Sequence, residues 1–516
     1  MSLRRLASET AIYGVSSIVG RAMYFLLTPL YTSVFTPFEM GIPATVFAVV
    51  GFLMVFATLR LDVAYFRRYP STTDERTLFG TAWLATAGVG GVLGVALMAA
   101  SPLLSNLFDF PAYRWIFALA GGILLFDALV ELPLARLRMQ QRPWRFALVR
   151  TTGIVVNIGL NVFWLLVLPK WSAAPSWMST PLAGISYIFL ANLVSSAVVL
   201  LLLLPELRGI GPKAVDTDRI DTGSPTGWRF DGKLLRELLH FSLPLVVVGF
   251  SFIINEMLDR VLLPQVWPGG ELEGLELSGI YSQNYKLAML LALFTQAFRY
   301  GVEPFFFRES GSEEATSRYA RLARFYLLAA LLGCLAVALY LPAFSQVFLR
   351  TPAYREGSLV VLILLAANLC LGMYYNLSVW YKVTDNTRFG AYISLAGALL
   401  TIVLNLILIP LYGFYGCALA TLACYGSMMI AAWWLGRSRY PIPYQLGRMA
   451  WYVVVAVGAV ALFYGLSPKL GPTVLDLAVN GGSTSDWLSS LGLASVLALV
   501  CVVIYGLSER QLWAQR

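Results

Sequence analysis

An all-α, polytopic membrane protein is the architecture this chain predicts: about 14 transmembrane helices, two six-helix lobes with pseudo-two-fold symmetry around a central cavity, and two C-terminal helices. Three observations carry it. The 516 residues are 58% hydrophobic and only 13% charged, with mean hydropathy +0.72, against roughly 25% charged residues in a soluble protein. Apolar runs long enough to cross a bilayer, about 20 residues each, fill nearly the whole length. Lysine and arginine concentrate in alternate connections between those runs, as the positive-inside rule demands.

The first span is placed at 11–35, where Ser17, Arg21, Tyr24, Thr28 and Tyr31 recur at helical spacing and form one polar stripe on an otherwise apolar helix. It is too long and too polar on one face for a cleaved signal peptide and is expected to be retained. Further helices are expected near 41–66, 78–100, 115–135, 146–168 and 183–204. Pro205 to Glu237 is rich in Gly, Pro, Asp and Arg, the composition of an exposed linker. Beyond it, spans are expected near 238–264, 278–303, 322–346, 357–381, 389–411, 413–436, 447–466 and 488–508. The domains are then an N-lobe at 1–204, a cytoplasmic linker at 205–237, a C-lobe at 238–436, and two additional helices with a tail at 437–516.

With the amino terminus in the cytoplasm, that side carries Arg4, Arg5, Arg67, Arg68, six basic residues in the linker and most of the remainder. The opposite side carries Arg114, Lys170, Arg350, Arg355 and Lys469. An omitted or invented span would scramble this asymmetry, so both termini are expected in the cytoplasm, in the cell (inner) membrane. The same asymmetry explains the net charge of +9 without a nucleic-acid partner. The five cysteines lie inside apolar runs without metal-type spacing and read as core residues. His240, the single histidine, stands at the mouth of a span, so no metal site and no histidine-based catalysis is expected.

The linker divides twelve helices into six plus six. Each second helix opens on Gly-Ile, at Gly41 and Gly279, and ends in aromatics plus arginine, Phe66-Arg67 and Phe307-Arg308, as an internal repeat would. Gly14, Gly20 and Pro29 in the first helix match Pro244 and Gly249 in the seventh as helix-weakening positions.

An arginine at membrane depth is costly and faces a wet cavity or a partner. Cations inside spans are Arg21, Arg60, Arg150, Arg260, Lys286 and Arg299, five of the six on the first, second, seventh and eighth helices. Long side chains near a boundary also snorkel to the interface, which accounts equally for Arg60, Arg150, Arg299 and Lys286 taken singly; Arg21 lies deeper. Glu256 stands four residues before Arg260, Asp259 adjoins it, Glu303 follows Arg299 by four, and Asp62 lies on a different face from Arg60. A cationic cavity selects an anionic substrate, and arginine's planar fork suits phosphate. Tyr24, Tyr31, Tyr65, Phe66, Tyr281, Tyr285 and Tyr300 interleave with these charges, either as an interfacial belt or as stacking surfaces for sugar.

The run from Tyr13 through Arg21 to Pro29-Leu30-Tyr31 and Gly41 resembles the amino-terminal signature of polysaccharide-biosynthesis (Wzx-like) flippases. These belong to the multidrug/oligosaccharidyl-lipid/polysaccharide exporter superfamily. The resemblance implies alternating access and, as substrate, a lipid-linked oligosaccharide of the undecaprenyl-pyrophosphate type, translocated for cell-surface polysaccharide assembly. It also implies membrane lipids and polysaccharide polymerase or glycosyltransferases as partners, and no cofactor beyond a coupling H+ or Na+. Substrate-binding residues are then expected to be Arg21, Arg60, Arg260, Arg299, Lys286, Tyr24 and Tyr285. Glu256, Asp259 and Asp62 either bind the coupling ion or balance arginine. Many such flippases have twelve helices; the two additional ones resemble the lipid II flippase, which leaves lipid II open as cargo. A cation extruder of the same fold would favour exposed carboxylates over a deep arginine. A membrane glycosyltransferase or polymerase would carry a large catalytic outer segment, whereas 467–487 is Gly/Ser-rich without an acid-base pair and Glu271, Glu273 and Glu276 read as a solvated loop. A scaffold that transports nothing would need no charges at membrane depth.

Overall fold

A computed structural model describes residues 18–108, 110–171, 184–207, 229–309, 314–470 and 474–514. Among them there is no β-strand. The helices are α1 (18–25), α2 (Thr28–Val34), α3 (Pro37–Thr58), α4 (Leu61–Arg68), α5 (Glu75–Ala99), α6 (Ser101–Leu107) and α7 (Trp115–Met139). There follow α8 (Pro143–Val162), α9 (Ser186–Leu207), α10 (Gly232–Val266), α11 (Glu271–Glu309), α12 (Ala315–Leu339), α13 (Leu341–Phe348) and α14 (Pro352–Arg355). The last are α15 (Val360–Leu377), α16 (Val379–Val383), α17 (Arg388–Tyr412), α18 (Phe414–Arg439), α19 (Leu446–Leu470), α20 (Val474–Asn480) and α21 (Thr484–Ala514).

Among the described residues twelve helices are long and apolar enough to cross a membrane, so the chain is a multi-pass membrane protein. Two expected spans are not among the twelve. The first begins in residues 11–17, which lie outside the described residues together with Gly14 and Ser17; the other, 278–303, falls within the 39-residue α11. Most of the expected linker, 208–228, also lies outside them. Three expectations are corrected. Glu271, Glu273 and Glu276 form the start of α11 rather than a loop, since carboxylates in a first turn complement the positive end of the helix dipole. The ninth span ends at Leu339, not 346, because Pro342 opens the separate helix α13. The seventh starts at Gly232, so the linker is over by Asp231.

The chain packs as two compact units. The first comprises Met1–Tyr24 and Thr45–Met257. Here α7 packs against α5 and α9, with α8 beside α9. Small residues bring these helices close: Gly94 faces the Gly121 carbonyl at α5–α7, Gly153 faces Val199 at α8–α9, and the Ser195 hydroxyl donates to the Gly153 carbonyl at 2.7 Å. In a bilayer, where lipid is as apolar as leucine, such contacts and hydrogen bonds replace the hydrophobic drive. One end is clamped by charge: Arg136 Nε donates to Glu75 at 2.8 Å and its Nη1 to the Glu206 carbonyl at 2.7 Å, while Arg145 meets the Glu206 carboxylate at 3.3 Å.

The second unit comprises Phe25–Ala44 and Leu258–Arg516. In it α15 and α17 flank α18, α11 lies against α15, and α12, α19 and α21 pack together. Gly41 and Gly279 meet there: a Cβ on Gly41 would overlap the Leu275 carbonyl, and one on Gly279 the Pro37 carbonyl. Backbone on backbone is the closest helix contact a protein can make, and only glycine permits it. The Thr32 hydroxyl donates to the Phe348 carbonyl at 2.8 Å, Thr351 to the Thr32 carbonyl at 2.6 Å, and Tyr354 to the Phe35 carbonyl at 2.8 Å. These bonds hold α2 and the start of α3 to this unit. Gly413, at φ +56°, makes the turn from α17 into α18.

Candidate functional site

The intramembrane charges fall into separate groups. In the first unit α1 packs through Gly20 on Ile154 of α8. Arg21 is exposed and makes no hydrogen bond or ion pair with another described residue. Tyr24, one turn on, lies within the fields of Asp127 and Arg150. The second span is interrupted: Leu59 and Arg60 are both left-handed, at φ +49° and +52°, separating α3 from α4. Neither residue is glycine, so each pays a backbone cost of about 1–2 kcal/mol. The kink turns the Arg60 guanidinium onto α10, where a Cβ on Gly249 would stand 2.6 Å from its Nη2. Gly249 thus leaves room for a cation, a role beyond helix weakening. Asp62, half-buried on α4, is not drawn into this contact. Glu256, near the end of this unit on α10, is half-buried and engaged.

The second unit gathers five of the polar groups. Asp259 is 5% exposed and accepts from the Tyr281 hydroxyl at 2.6 Å and from the Arg260 amide at 2.9 Å, with the Arg260 guanidinium 3.8 Å away. That guanidinium stacks on Tyr285 at 4.5 Å, and Tyr285 meets Tyr281 edge-on. Lys286 donates to Gln283 at 2.9 Å and lies over the Tyr31 ring at 5.4 Å, close enough to feel the charge of Arg260. Two cations and the Asp259 carboxylate thus gather on an aromatic floor. A guanidinium stacked on a ring is held in a plane, and its planar fork is the geometry that matches phosphate oxygens.

Arg299 is not part of this group. It follows Lys286 by thirteen residues on the same helix, about 20 Å along the axis, and stacks on Tyr375 at 4.8 Å beside Thr295, Phe298 and Asn376. The Glu303 side chain lies outside the described residues. Tyr65 and Tyr281 are fully buried in the packing of their own units.

Two acidic residues of one span, Asp127 and Glu131, are not among the groups expected from the sequence. Asp127 on α7 accepts from the Ser196 hydroxyl of α9 at 2.6 Å, with Glu131 one turn further on. An aspartate in the middle of an apolar run was the signal, since carboxylates at membrane depth are rare and expensive. Among the described residues no group of three His, Cys, Asp or Glu is arranged to hold a metal ion.

Residues 6–308, which carry Arg21, Arg60, the Asp259–Lys286 group and Arg299, match the family of polysaccharide biosynthesis proteins. The chain belongs to this family. It is similar to the lipid II flippase MurJ in an inward-closed conformation, with TM-score 0.72 at 12% identity, covering 96% of this chain and 98% of that one. It is also similar to an inward-facing multidrug resistance transporter of the MATE family in the MOP superfamily, with TM-score 0.60 at 16% identity, covering 81% and 94%. Among curated proteins it matches an uncharacterized membrane protein of Methanocaldococcus jannaschii, 26% identical over 188 residues, 36% of this chain and 42% of that protein. The chain therefore spans less than half of that relative's length. Family and fold together make the chain a multi-pass membrane protein of polysaccharide biosynthesis.

Proposed function

We propose that the protein flips a polyprenyl-pyrophosphate-linked oligosaccharide across the cytoplasmic membrane by alternating access, for assembly of a cell-surface polysaccharide. The observation that carries this reading is the cationic surplus at membrane depth. Arg260 and Lys286 stand close together beside Asp259 in one unit, and in the other Arg21 is exposed without a partner among the described residues. Such charges are tolerated in a bilayer where they serve an anion or a wet path. Each unit offers the diphosphate its own donors, Arg21 and Arg60 in the first, Arg260 and Lys286 in the second, while Tyr24 and Tyr285 border them. Arg299, stacked among its neighbours, contributes charge at a distance rather than contact. The polyprenyl tail stays in lipid and no covalent bond changes. Asp259, Glu256 and Asp62, with Asp127 added to them, are the acidic groups available to a coupling proton or sodium ion; membrane potential supplies about 2.3 kcal/mol per charge per 100 mV. Both termini lie in the cytoplasm, on the side that receives the lipid-linked sugar from glycosyltransferases, and a polymerase takes it on the other.

A cation extruder is the reading that Asp127 and Asp259 would favour. Reconstitution with a fluorescent polyprenyl-pyrophosphate sugar separates the two. Arg21→Ala is expected to abolish flipping while the unfolding temperature stays at the wild-type value, because no described partner is lost. Unchanged flipping in that variant would remove Arg21 from the site, and efflux of organic cations without lipid flipping would overturn the proposal.

A further inference from the structure

Within the second unit a groove of about 730 Å3 opens between α12 and α21, beside the start of α19. Its floor is apolar: Leu322, Phe325, Leu328, Leu332 and Val502, with Gly506 leaving open space. Phe325 and Leu332 are exposed along it. At one end stand Arg321, Arg324, Gln445 and Glu509. Arg324 is committed, bonded to Glu509 at 3.2 Å and to Gln445 at 2.6 Å. Glu509 also accepts from Tyr452 at 2.6 Å, and Arg448 donates to the Ser508 carbonyl beside it at 3.0 Å. Arg321 is exposed and has no hydrogen bond or ion pair with a described residue. Arg324 thus pairs with the carboxylate at this end, Arg448 is bonded to a main-chain carbonyl beside it, and Arg321 is unused.

An apolar lining by itself selects nothing in a bilayer, since hydrocarbon is already the solvent. Selection comes from the charged end. Basic pockets between membrane helices hold anionic head groups, each Arg or Lys strengthening the hold about fivefold, and a guanidinium matches two phosphate oxygens at once. The volume falls in the range of about 300–1,000 Å3 typical of small-molecule sites. We propose that this groove is the site of one resident anionic glycerophospholipid. Its phosphate sits on Arg321, with Arg324 and Arg448 adding charge behind it. One acyl chain lies along Phe325, Leu328, Leu332 and Val502 and fills the seam between α12 and α21. This site stands apart from the transport residues and does not depend on what cargo the protein moves.

The test is native mass spectrometry of the full-length protein purified in detergent, incubated with dioleoylphosphatidylglycerol or dioleoylphosphatidylcholine. One phosphatidylglycerol is expected to be retained per protein, in clear preference to phosphatidylcholine. Arg321→Ala should lower that retention about fivefold, Arg321→Lys should restore most of it, and Gly506→Trp should exclude both lipids by filling the open space. Thermal unfolding of each variant checks that it is folded, and Leu328→Trp is a second way to block the groove. Equal retention of the two lipids, or retention indifferent to Arg321 and to both blocking substitutions, would overturn the proposal. So would displacement of phosphatidylglycerol by an equimolar polyprenyl phosphate, which would give the groove to the transported lipid.

Discussion

Removing the Arg260 side chain separates its two possible uses, holding cargo and balancing Asp259. The carboxylate is 5% exposed and has three neighbours: the Tyr281 hydroxyl at 2.6 Å, the Arg260 amide at 2.9 Å and the guanidinium at 3.8 Å. Arg260→Ala keeps the first two and deletes the third. Breaking a buried pair costs about 3–5 kcal/mol. Two donors remain and the charges are not in tight contact, so the loss should lie near about 3 kcal/mol. Part of it is the stacking of the guanidinium on Tyr285 at 4.5 Å. Adding Asp259→Asn removes the stranded charge and should return most of the stability, read as the unfolding temperature in detergent. Transport should behave differently. A charge-assisted hydrogen bond to phosphate contributes about 1.5–3 kcal/mol, so both the single and the double variant should flip lipid-linked sugar tenfold to hundredfold more slowly, on the order of that energy. A double variant that is stable and flips at the wild-type rate would show that Arg260 serves only its neighbouring aspartate.

Gly41→Ala should destabilise the second unit by at least about 1–3 kcal/mol, because its Cβ would meet the fixed Leu275 carbonyl; folded yield and unfolding temperature report it. Gly249→Ala should leave stability within about 1 kcal/mol, since the obstructing atom is the end of the flexible Arg60 side chain, while transport falls if Arg60 contacts cargo. Glu75→Ala strands Arg136, which is 8% exposed, and should cost about 3–5 kcal/mol by the same unfolding assay. Asp74 caps α5 through the Thr77 hydroxyl at 2.6 Å and the Thr77 amide at 3.0 Å, and these bonds hold its carboxyl below the usual carboxylate range. Asp74→Ala should cost about 1 kcal/mol at neutral pH. Because the native value is depressed, that difference is full above the usual carboxylate pKa and disappears as pH falls through the lowered one.

The spans were legible because a bilayer forces one composition on any helix that crosses it: runs such as 389–411 and 413–436 coincide with α17 and α18 to within three residues. The interruption at Leu59–Arg60 was not, since neither residue is a glycine or proline and nothing in their side chains favours a left-handed turn. Arg260, Tyr285 and Lys286, on consecutive helices, lie near one another in the structure. Arg299 shared their helix and their sign, but distance along an axis is invisible to a count of cations per helix. Asp127 stands out as a carboxylate in an apolar run, but its partner Ser196 is contributed by another helix and sequence spacing does not pair them. Gly41 and Gly279 read as markers of a repeat; that each lies against the other's helix is a tertiary contact that sequence spacing does not encode.

The paired left-handed residues between α3 and α4 have a consequence for mutagenesis. A helix that stops within a span gives up the last carbonyls of one segment and the first amides of the next. Lipid cannot satisfy them, so at such a point water or protein must. The 37–71 span therefore presents main-chain donors and acceptors beside Arg60. No substitution of a side chain deletes these groups. Alanine scanning of the cations should accordingly leave a floor of residual anion or water affinity here, and the floor should drop when the backbone itself is changed, by proline or by an ester in place of an amide at Leu61 or Asp62.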